Sequence, residues 1–220
     1  MKFSEWEPIY LRICGDFGFS PDSDAMSVRM LKAVTPNSDL RDEDSIRPLI
    51  GSTVTVVGDS PGLEEDISKL PPEGCVIASG SSVLRLLRLG IMPQIVVTDL
   101  DGNINAQLEA SSEGALTLIL AHGDNMDLVR QYAPLFTGPI VLTTQGRPEN
   151  TVFDYGGFTD GDRCVCLARE FGAGRILLLG FDFEHPNPKE GSDPVMKKRK
   201  LEWARRIIFD GGSSDIVQPC

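Results

Sequence analysis

The sequence predicts an α/β fold in which helices cover a parallel sheet, with a helical segment leading into it. Short runs rich in β-branched and aliphatic residues recur along the chain, and helical stretches lie between most of them. Continuous apolar runs are typical of strands that are buried on both faces of a parallel sheet. Their alternation with helices indicates strand–helix–strand units, for which a parallel sheet is the natural architecture.

The predicted strands are six buried runs: 53–57, 75–78, 95–98, 116–120, 140–143 and 175–179. The helical stretches that accompany them are 62–70, 82–89, 103–111, 124–135 and 162–171. A final helix is predicted over 197–208, where Trp203 and Ile207 belong to an apolar side. Its basic start, 197–200, could reach a phosphate chain, but we expect it to be a solvated helix face.

The chain is expected to form one main domain with a small addition at each end. Residues 1–50 contain an amphipathic stretch, 25–34, and an acidic patch, 39–44, and are predicted to be a helical lead-in that packs on the sheet. Residues 51–211 form the predicted α/β domain. The tail, 212–220, is expected to be frayed.

Composition and charge exclude several classes of protein. The formal net charge is −11, which argues against a nucleic-acid partner because such proteins usually present a basic face. No apolar run approaches the roughly 20 residues that span a bilayer, and the N-terminal residues lack the apolar core of a signal peptide. We therefore expect a cytoplasmic protein with no membrane partner.

The cysteines do not indicate a zinc site or a disulfide framework, because their number is odd and no Cys-x-x-Cys pair occurs. The five are Cys14, Cys75, Cys164, Cys166 and Cys220. We expect them to be reduced thiols, most of them buried.

Glycine and small polar residues follow every predicted strand. The segments in question are 58–62, 79–82, 99–103, 122–125, 144–147 and 180–182. Open parallel sheets bind their ligands beyond the carboxyl ends of the strands. Six such turns in succession therefore predict a ligand site at this edge of the sheet.

The most informative of these turns contains two carboxylates, Asp99 and Asp101, directly after a buried strand. Their mutual repulsion is relieved when a cation lies between them, and oxygen ligands of this kind suit Mg²⁺. Asp124, after the next strand, could supply a third oxygen. The alternative is a helix N-cap at Asp101 or Asn103, which explains one carboxylate but not two.

Other turns offer binding groups that have an equally simple structural explanation. Ser60 and Gly62 open a helix and could bind phosphate through backbone N–H groups, or form an ordinary strand–helix turn. His122 could bind phosphate or orient a carboxylate, or be a hydrogen-bonded structural histidine. In the long loop before residue 163, Phe158 would suit a flat heterocycle, whereas Thr159 or Asp160 could simply cap the next helix.

Four segments in one order carry a family resemblance: 97–102 (Val-Thr-Asp-Leu-Asp-Gly), 121–125 (Ala-His-Gly-Asp-Asn), 157–163 (Gly-Phe-Thr-Asp-Gly-Asp-Arg) and 179–183 (Leu-Gly-Phe-Asp-Phe). The combination resembles the archaeal 6-hydroxymethyl-7,8-dihydropterin pyrophosphokinases, which are related to thiamine pyrophosphokinases. The resemblance implies a thiamine-pyrophosphokinase-like or Rossmann-like core. It also implies Mg²⁺-dependent transfer of diphosphate from ATP to the pterin hydroxymethyl group, with release of AMP, in the biosynthesis of folate-type or methanopterin-type cofactors.

The resemblance further implies a set of site residues. Asp99, Asp101 and Asp124 would be catalytic and hold the Mg²⁺ that bridges ATP. The residues expected around ATP and the pterin are Ser60, Gly62, Ser79, Gly80, His122, Asn125, Arg147, Phe158, Thr159, Asp160, Asp162, Arg163 and Asp182. Related proteins often carry an aspartate where this chain has Ser79, so either the metal set is smaller here or Asp59 compensates.

Two other functions stay open at this point. A thiamine pyrophosphokinase would use the same kind of site with a different acceptor. A glycosyltransferase-like or accessory protein would use the aspartate pair to bind a nucleotide sugar. The expected partners are small-molecule substrates, and a homo-oligomer is a further possibility.

Overall fold

The structure is a computed structural model that describes residues 1–185 and 193–219. Its centre is a seven-stranded sheet in the order β5-β4-β3-β2-β1-β6-β7, and every strand pair is parallel. The strands are β1 (Thr53–Val57), β2 (Cys75–Ser79), β3 (Ile95–Thr98), β4 (Leu116–Ala121), β5 (Ile140–Thr144), β6 (Arg175–Leu179) and β7 (Ile216–Val217). The predicted parallel-sheet fold is confirmed, and the six predicted strands are β1 to β6.

Helices cover both faces of the sheet. They are α1 (Phe3–Phe17), α2 (Pro21–Val34), α3 (Glu43–Ile46), α4 (Leu63–Lys69), α5 (Val83–Arg88), α6 (Ile104–Ser112), α7 (Met126–Tyr132), α8 (Asp160–Glu170) and α9 (Pro194–Phe209). Alternate strand residues point to opposite faces. Val56 in β1 therefore packs in the core with α8, and the adjacent Val57 packs in the core with α4, α5 and α6. Every residue of β2 and β4 is buried, as continuous apolar strands require.

The N-terminal residues pack tightly on the sheet domain. Trp6 in α1 has no exposed surface, and its Nε1–H donates a 2.7 Å hydrogen bond to the carbonyl oxygen of Gln145, after β5. In the expected acidic patch, Leu40 forms a parallel bridge with Ile140 at the edge strand β5. The helical lead-in is thus an integral layer of the molecule. The proposed division at residues 50 and 211 stays a prediction.

The tail differs from the expected frayed end. Ile216 and Val217 form β7 beside β6, and Asp215 forms a two-bonded ion pair with Arg169 of α8, at 2.7 and 2.9 Å. Two apolar residues are too short a run to show a strand period in the sequence. The long-range ion pair, which sequence patterns do not reveal, holds this segment on the sheet together with the backbone pairing to β6, where the Ile176 N–H donates a 2.7 Å hydrogen bond to the Asp215 carbonyl oxygen.

No described helix combines the length and the apolarity needed to cross a membrane. The four cysteines within the described residues are free and buried. Cys164 and Cys166 pack in different apolar clusters, as their spacing on a helix predicts. Cys220 lies outside the described residues.

Candidate functional site

A cavity of about 650 Å³, here called the main cavity, opens at the carboxyl ends of the strands. The turns after β1 to β6, the start of α8 and one side of α9 form its wall. Seven aspartates line it: Asp59, Asp99, Asp101, Asp124, Asp160, Asp182 and Asp193. Four aromatic rings also line it: Phe19, Phe158, Phe181 and Phe183. Its position agrees with the edge of the sheet that the sequence predicts, and its size is that of a small-molecule site.

The turn after β3 has an unusual backbone. Leu100 adopts a left-handed conformation with φ of 68°, which costs a non-glycine residue about 1–2 kcal/mol. Its side chain is 2% exposed and packs in an apolar cluster with residues of α2 and α7. The Leu100 N–H also donates a 2.8 Å hydrogen bond to Oγ1 of Thr98. This sharp turn buries Leu100 and leaves its two neighbours, Asp99 and Asp101, on the wall of the main cavity.

The helix-capping alternative is now resolved in favour of Asn103. Its side-chain oxygen accepts a 2.9 Å hydrogen bond from the N–H of Ala106 and caps α6. Asp101 instead accepts a 2.6 Å hydrogen bond from the N–H of Gly102. Because Asn103 caps the helix, capping does not account for the two carboxylates at the cavity wall.

Asp160 is the third carboxylate of this region. It is the first residue of α8 and lines the main cavity. Burial, and then the charges of Asp99 and Asp101, raise the pKa of Asp160 well above its usual range. The three carboxyl groups therefore repel one another when they are ionised, and a cation bound near them would relieve that repulsion.

The donor set fits Mg²⁺ in its usual mode of binding. Among the described residues, no group of three or more His, Cys, Asp or Glu side chains is already placed to hold an ion. The expected trio of Asp99, Asp101 and Asp124 is thus not preassembled, although Asp124 lines the main cavity. Mg²⁺ is commonly held by one or two carboxylates together with substrate phosphates and water, and the pair Asp99 and Asp101 fits that mode of binding.

His122 combines the two interpretations that the sequence left open. Its Nδ1 accepts a 3.3 Å hydrogen bond from the N–H of Asp124 and so caps the turn after β4. Its Nε2 lies 3.7 Å from a carboxylate oxygen of Asp99. Asn125 lies behind this pair and is buried, and its side-chain N–H donates to the carbonyl oxygens of Asp99 and Leu120. His122 therefore faces the main cavity, whereas Asn125 positions the turns that form it.

The turn after β2 approaches β3 closely. A Cβ atom on Gly80 would lie 2.4 Å from Oγ1 of Thr98, so only glycine fits there. The preceding residue, Ser79, lines the main cavity and is 3% exposed. Its hydroxyl oxygen has no hydrogen-bond partner among the described residues. A buried polar atom of this kind indicates a place for a ligand or water.

Asp162 holds the loop before α8 in place and does not line the main cavity. The Asp162 carboxylate has no exposed surface and accepts hydrogen bonds from the backbone N–H groups of Phe158 and Thr159, at 2.6 and 2.8 Å. Arg163 is also buried and donates to Oγ1 of Thr143 at 3.2 Å. The structure therefore brings Phe158, Thr159 and Asp160 to the main cavity, and places Asp162 and Arg163 behind its wall.

Of the remaining predicted residues, three line a cavity and one does not. Ser60 and Asp182 line both the main cavity and an adjacent cavity of about 370 Å³, which Gly62 also lines. Asp182 is partly committed to its own loop, because Oδ1 accepts from the N–H groups of Glu184 and His185. Arg147 is exposed and is not among the residues that line either cavity.

The predicted site residues omit two parts of the wall. Phe19, between α1 and α2, lines the main cavity, as do Lys197 and Lys200 of α9. The expectation of a solvated basic face was wrong for these two lysines and holds for the exposed Lys198, whereas Arg199 is exposed but contacts α1. Their spacing shows that Lys197 and Lys200 share one face, because they are three residues apart on a helix, but it does not show that this face meets the cavity.

Comparison with known proteins places the chain in a family. The profile of the family described as 6-hydroxymethylpterin diphosphokinase MptE-like matches residues 29–188. A protein of Pyrococcus furiosus is 42% identical, with coverage of 94% of this chain and 93% of its own length. Proteins of Methanothermobacter thermautotrophicus and Methanocaldococcus jannaschii are 38% and 31% identical and cover 94% of this chain. All three relatives are named 6-hydroxymethyl-7,8-dihydropterin pyrophosphokinase.

A solved structure shares the fold. The MAf glycosyltransferase from Magnetospirillum magneticum AMB-1 superposes with a TM-score of 0.50 at 20% identity, over 80% of this chain and 30% of that protein. At this identity the likeness concerns the fold alone. The family profile over residues 29–188, and three relatives that each cover 94% of the chain, show that this chain belongs to the MptE-like 6-hydroxymethylpterin diphosphokinase family.

Proposed function

We propose that this protein transfers diphosphate from ATP to the hydroxymethyl group of 6-hydroxymethyl-7,8-dihydropterin, with release of AMP, and that the reaction requires Mg²⁺. The names of the three relatives support the acceptor and the diphosphate transfer. The observation that carries the proposal on the structural side is the convergence of Asp99, Asp101 and Asp160 on the main cavity. A Mg²⁺–triphosphate complex is commonly held by one or two such carboxylates together with the phosphates and water.

The reaction forms one bond and breaks one. The pterin hydroxyl oxygen bonds to the β-phosphorus of ATP, the bond from that phosphorus to the α,β-bridging oxygen breaks, and the hydroxyl proton is released. Such transfers rely on positioning and on neutralisation of charge. Mg²⁺ would supply charge neutralisation at the phosphates and orient them for in-line attack. Asp99 and Asp101 are the residues that would hold it.

The chain's other residues bind and orient the substrates. The rings of Phe158 and Phe181 offer apolar surfaces to a flat heterocycle, either the pterin or the adenine. A carboxylate accepts hydrogen bonds from the N–H groups of an aminopyrimidinone edge. Asp160 and Asp182 are the candidates for that role at the cavity wall, because the Asp162 carboxylate is already bonded within its loop. The Ser79 hydroxyl is a further group without a protein partner among the described residues.

The proposal is tested by incubating the purified protein with ATP, Mg²⁺ and 6-hydroxymethyl-7,8-dihydropterin. We expect AMP and the pterin diphosphate in equal amounts, measured by chromatography and mass spectrometry. A reaction without the pterin controls for ATP hydrolysis. Formation of ADP and a pterin monophosphate, or no pterin product at all, would refute the proposed diphosphate transfer.

A further inference from the structure

The main cavity has one cationic side. Within residues 1–185 and 193–219, Lys197 and Lys200 are the only lysine or arginine side chains on its wall, compared with seven aspartates. Both lysines are partly buried, one helical turn apart on α9. An anionic substrate that enters so acidic a cavity requires positive charge beyond a single divalent ion. These two lysines are therefore the side chains placed to supply that charge.

Lys200 lies beside two aromatic rings. Its Nζ is 5.8 Å from the ring centroid of Phe19 and 5.8 Å from that of Phe158, within the range of a cation–π interaction. Both rings also line the main cavity. The two ring centroids are 6.2 Å apart, so the ammonium lies beside the pair of rings rather than between them, where its three N–H donors can reach an anion in the cavity.

The rings themselves are fixed. The centroid of Phe17 lies 5.4 Å from that of Phe19 and 5.2 Å from that of Phe158. The backbone N–H of Phe158 is bonded to the buried Asp162. This packing restricts where the Lys200 ammonium group can lie.

The helix that carries Lys200 is anchored to the N-terminal helices. Trp203 Nε1–H donates a 3.0 Å hydrogen bond to the Asp16 carboxylate, and Arg199 donates a 2.7 Å hydrogen bond to the Asp16 carbonyl oxygen. The guanidinium of Arg199 also lies 4.8 Å from the ring centroid of Phe17. One face of α9 is thus fastened to α1, and Lys197 and Lys200 belong to the part of α9 at the cavity wall.

From this geometry we propose that Lys200, with Lys197, binds the phosphate chain of the nucleotide, and that Phe19 and Phe158 hold the Lys200 ammonium in position. The inference deepens the proposed function and rests on it for the identity of the nucleotide. A lysine ammonium is a compact charge with three donors, suited to phosphate oxygens. The N-terminal helices consequently take part in substrate binding, because Phe19 belongs to that segment.

The test uses the full chain and binding measurements that need no acceptor. Calorimetric titrations with ATP, inorganic tripolyphosphate and AMP are compared for the wild type, Lys200→Met, Lys200→Arg and the control Lys198→Met, which alters an exposed lysine on the same helix. We expect Lys200→Met to weaken ATP and tripolyphosphate binding at least tenfold and AMP binding less than threefold, estimates for the loss of one charge-assisted contact. Lys200→Arg should recover most of the affinity, and Lys198→Met should match the wild type.

The outcomes separate this inference from the proposed function. Wild-type affinity for tripolyphosphate in Lys200→Met overturns the inference, even if diphosphate transfer is observed. An equal loss of affinity in Lys200→Met and Lys198→Met also overturns it, because the effect would then be general electrostatics. Selective loss in Lys200→Met without any pterin diphosphate formation supports phosphate binding by Lys200 and refutes the proposed acceptor. Absence of ATP and tripolyphosphate binding in the wild type refutes both.

Discussion

The backbone N–H of Gly123 donates a 2.7 Å hydrogen bond to the buried carboxylate of Asp24. The other oxygen of Asp24 accepts from the Tyr10 hydroxyl at 2.7 Å and from the Gln145 amide at 3.0 Å. Burial, and then the hydrogen bond to Asp24, raise the pKa of Tyr10 far above its usual range, so the hydroxyl remains a donor. One carboxylate of α2 thereby positions the turn after β4, which carries His122.

Asp24→Asn should lower both stability and activity. The asparagine amide group presents N–H donors to a site that already contains three donors, so at least one donor loses its acceptor. We expect the free energy of unfolding to fall by about 2 kcal/mol and kcat/KM to fall about tenfold as the turn shifts. Urea unfolding followed by circular dichroism, together with steady-state kinetics, measures the two effects. Asp22→Asn, at an exposed position of the same helix, is the control, and equal behaviour of the two variants would contradict the positioning role.

Removal of divalent ions should abolish AMP release. The carboxylates of Asp99 and Asp101 at the cavity wall are the ligands expected for Mg²⁺. Activity should be lost in excess chelator and restored by added Mg²⁺, as measured by AMP formation. Full turnover in the presence of chelator would exclude the proposed metal dependence.

Asp99→Asn and Asp101→Asn should each lower activity at least 100-fold, because each removes charge that the bound cation needs while keeping the shape of the side chain. The carboxylate oxygens that accept the local backbone hydrogen bonds have amide counterparts, so the fold should be retained. Without metal, relief of repulsion should leave the melting temperature unchanged or raised. Asp127→Asn, at an exposed position on α7, is the control. Near-normal turnover in both variants would mean that these residues are not metal ligands.

The acceptor should be a pterin rather than thiamine. A binding site built on hydrogen bonds to a pterin edge has unpaired polar groups when the ligand cannot form those bonds. The value of kcat/KM for such a ligand is then lower by a large factor. We expect 6-hydroxymethyl-7,8-dihydropterin to be at least 100-fold more efficient than thiamine at saturating Mg²⁺ and ATP, an estimate from that argument. Equal or reversed efficiencies would overturn the acceptor assignment and leave diphosphate transfer standing.

Asp154 should make the protein less stable as pH rises. Burial raises the pKa of Asp154 to about 7, although the charge of Arg163 opposes this effect. Between about pH 4 and pH 7 the folded state therefore holds a proton that the unfolded state has lost, so the free energy of unfolding falls across this window. One carboxylate oxygen accepts from the Gly156 N–H at 2.9 Å, and the other has no partner among the described residues.

Asp154→Asn removes this titration and keeps the acceptor for Gly156. We expect the variant to be more stable than the wild type at pH 8, by on the order of 3 kcal/mol, with the difference shrinking towards pH 4. Thermal unfolding at several pH values measures it. Asp44→Asn, at an exposed position, should show no such pH-dependent gain. A constant difference between Asp154→Asn and the wild type from pH 4 to pH 8 would contradict the burial argument.

Local patterns in the sequence were sufficient for the sheet and for part of the site. β1 to β6 are continuous apolar runs, and each ends in glycine and small polar residues, so both the strands and the binding edge follow from the physics of a parallel sheet. Asp99 and Asp101 were identifiable because two carboxylates directly follow a buried strand. Their position at the edge of the sheet depends only on the strand that immediately precedes them, β3.

Tertiary structure alone decided the rest of the wall. Lys200 and Phe19 reach the main cavity because α9 and the N-terminal helices pack over the edge of the sheet, and the packing of segments far apart in sequence leaves no local period. For the same reason the sequence did not predict β7, since long-range contacts hold it: the ion pair between Arg169 and Asp215 and the backbone pairing to β6. Asp162 and Asp160 have the same chemistry, yet one closes the loop and the other faces the main cavity, because helix geometry directs residues two positions apart to different sides.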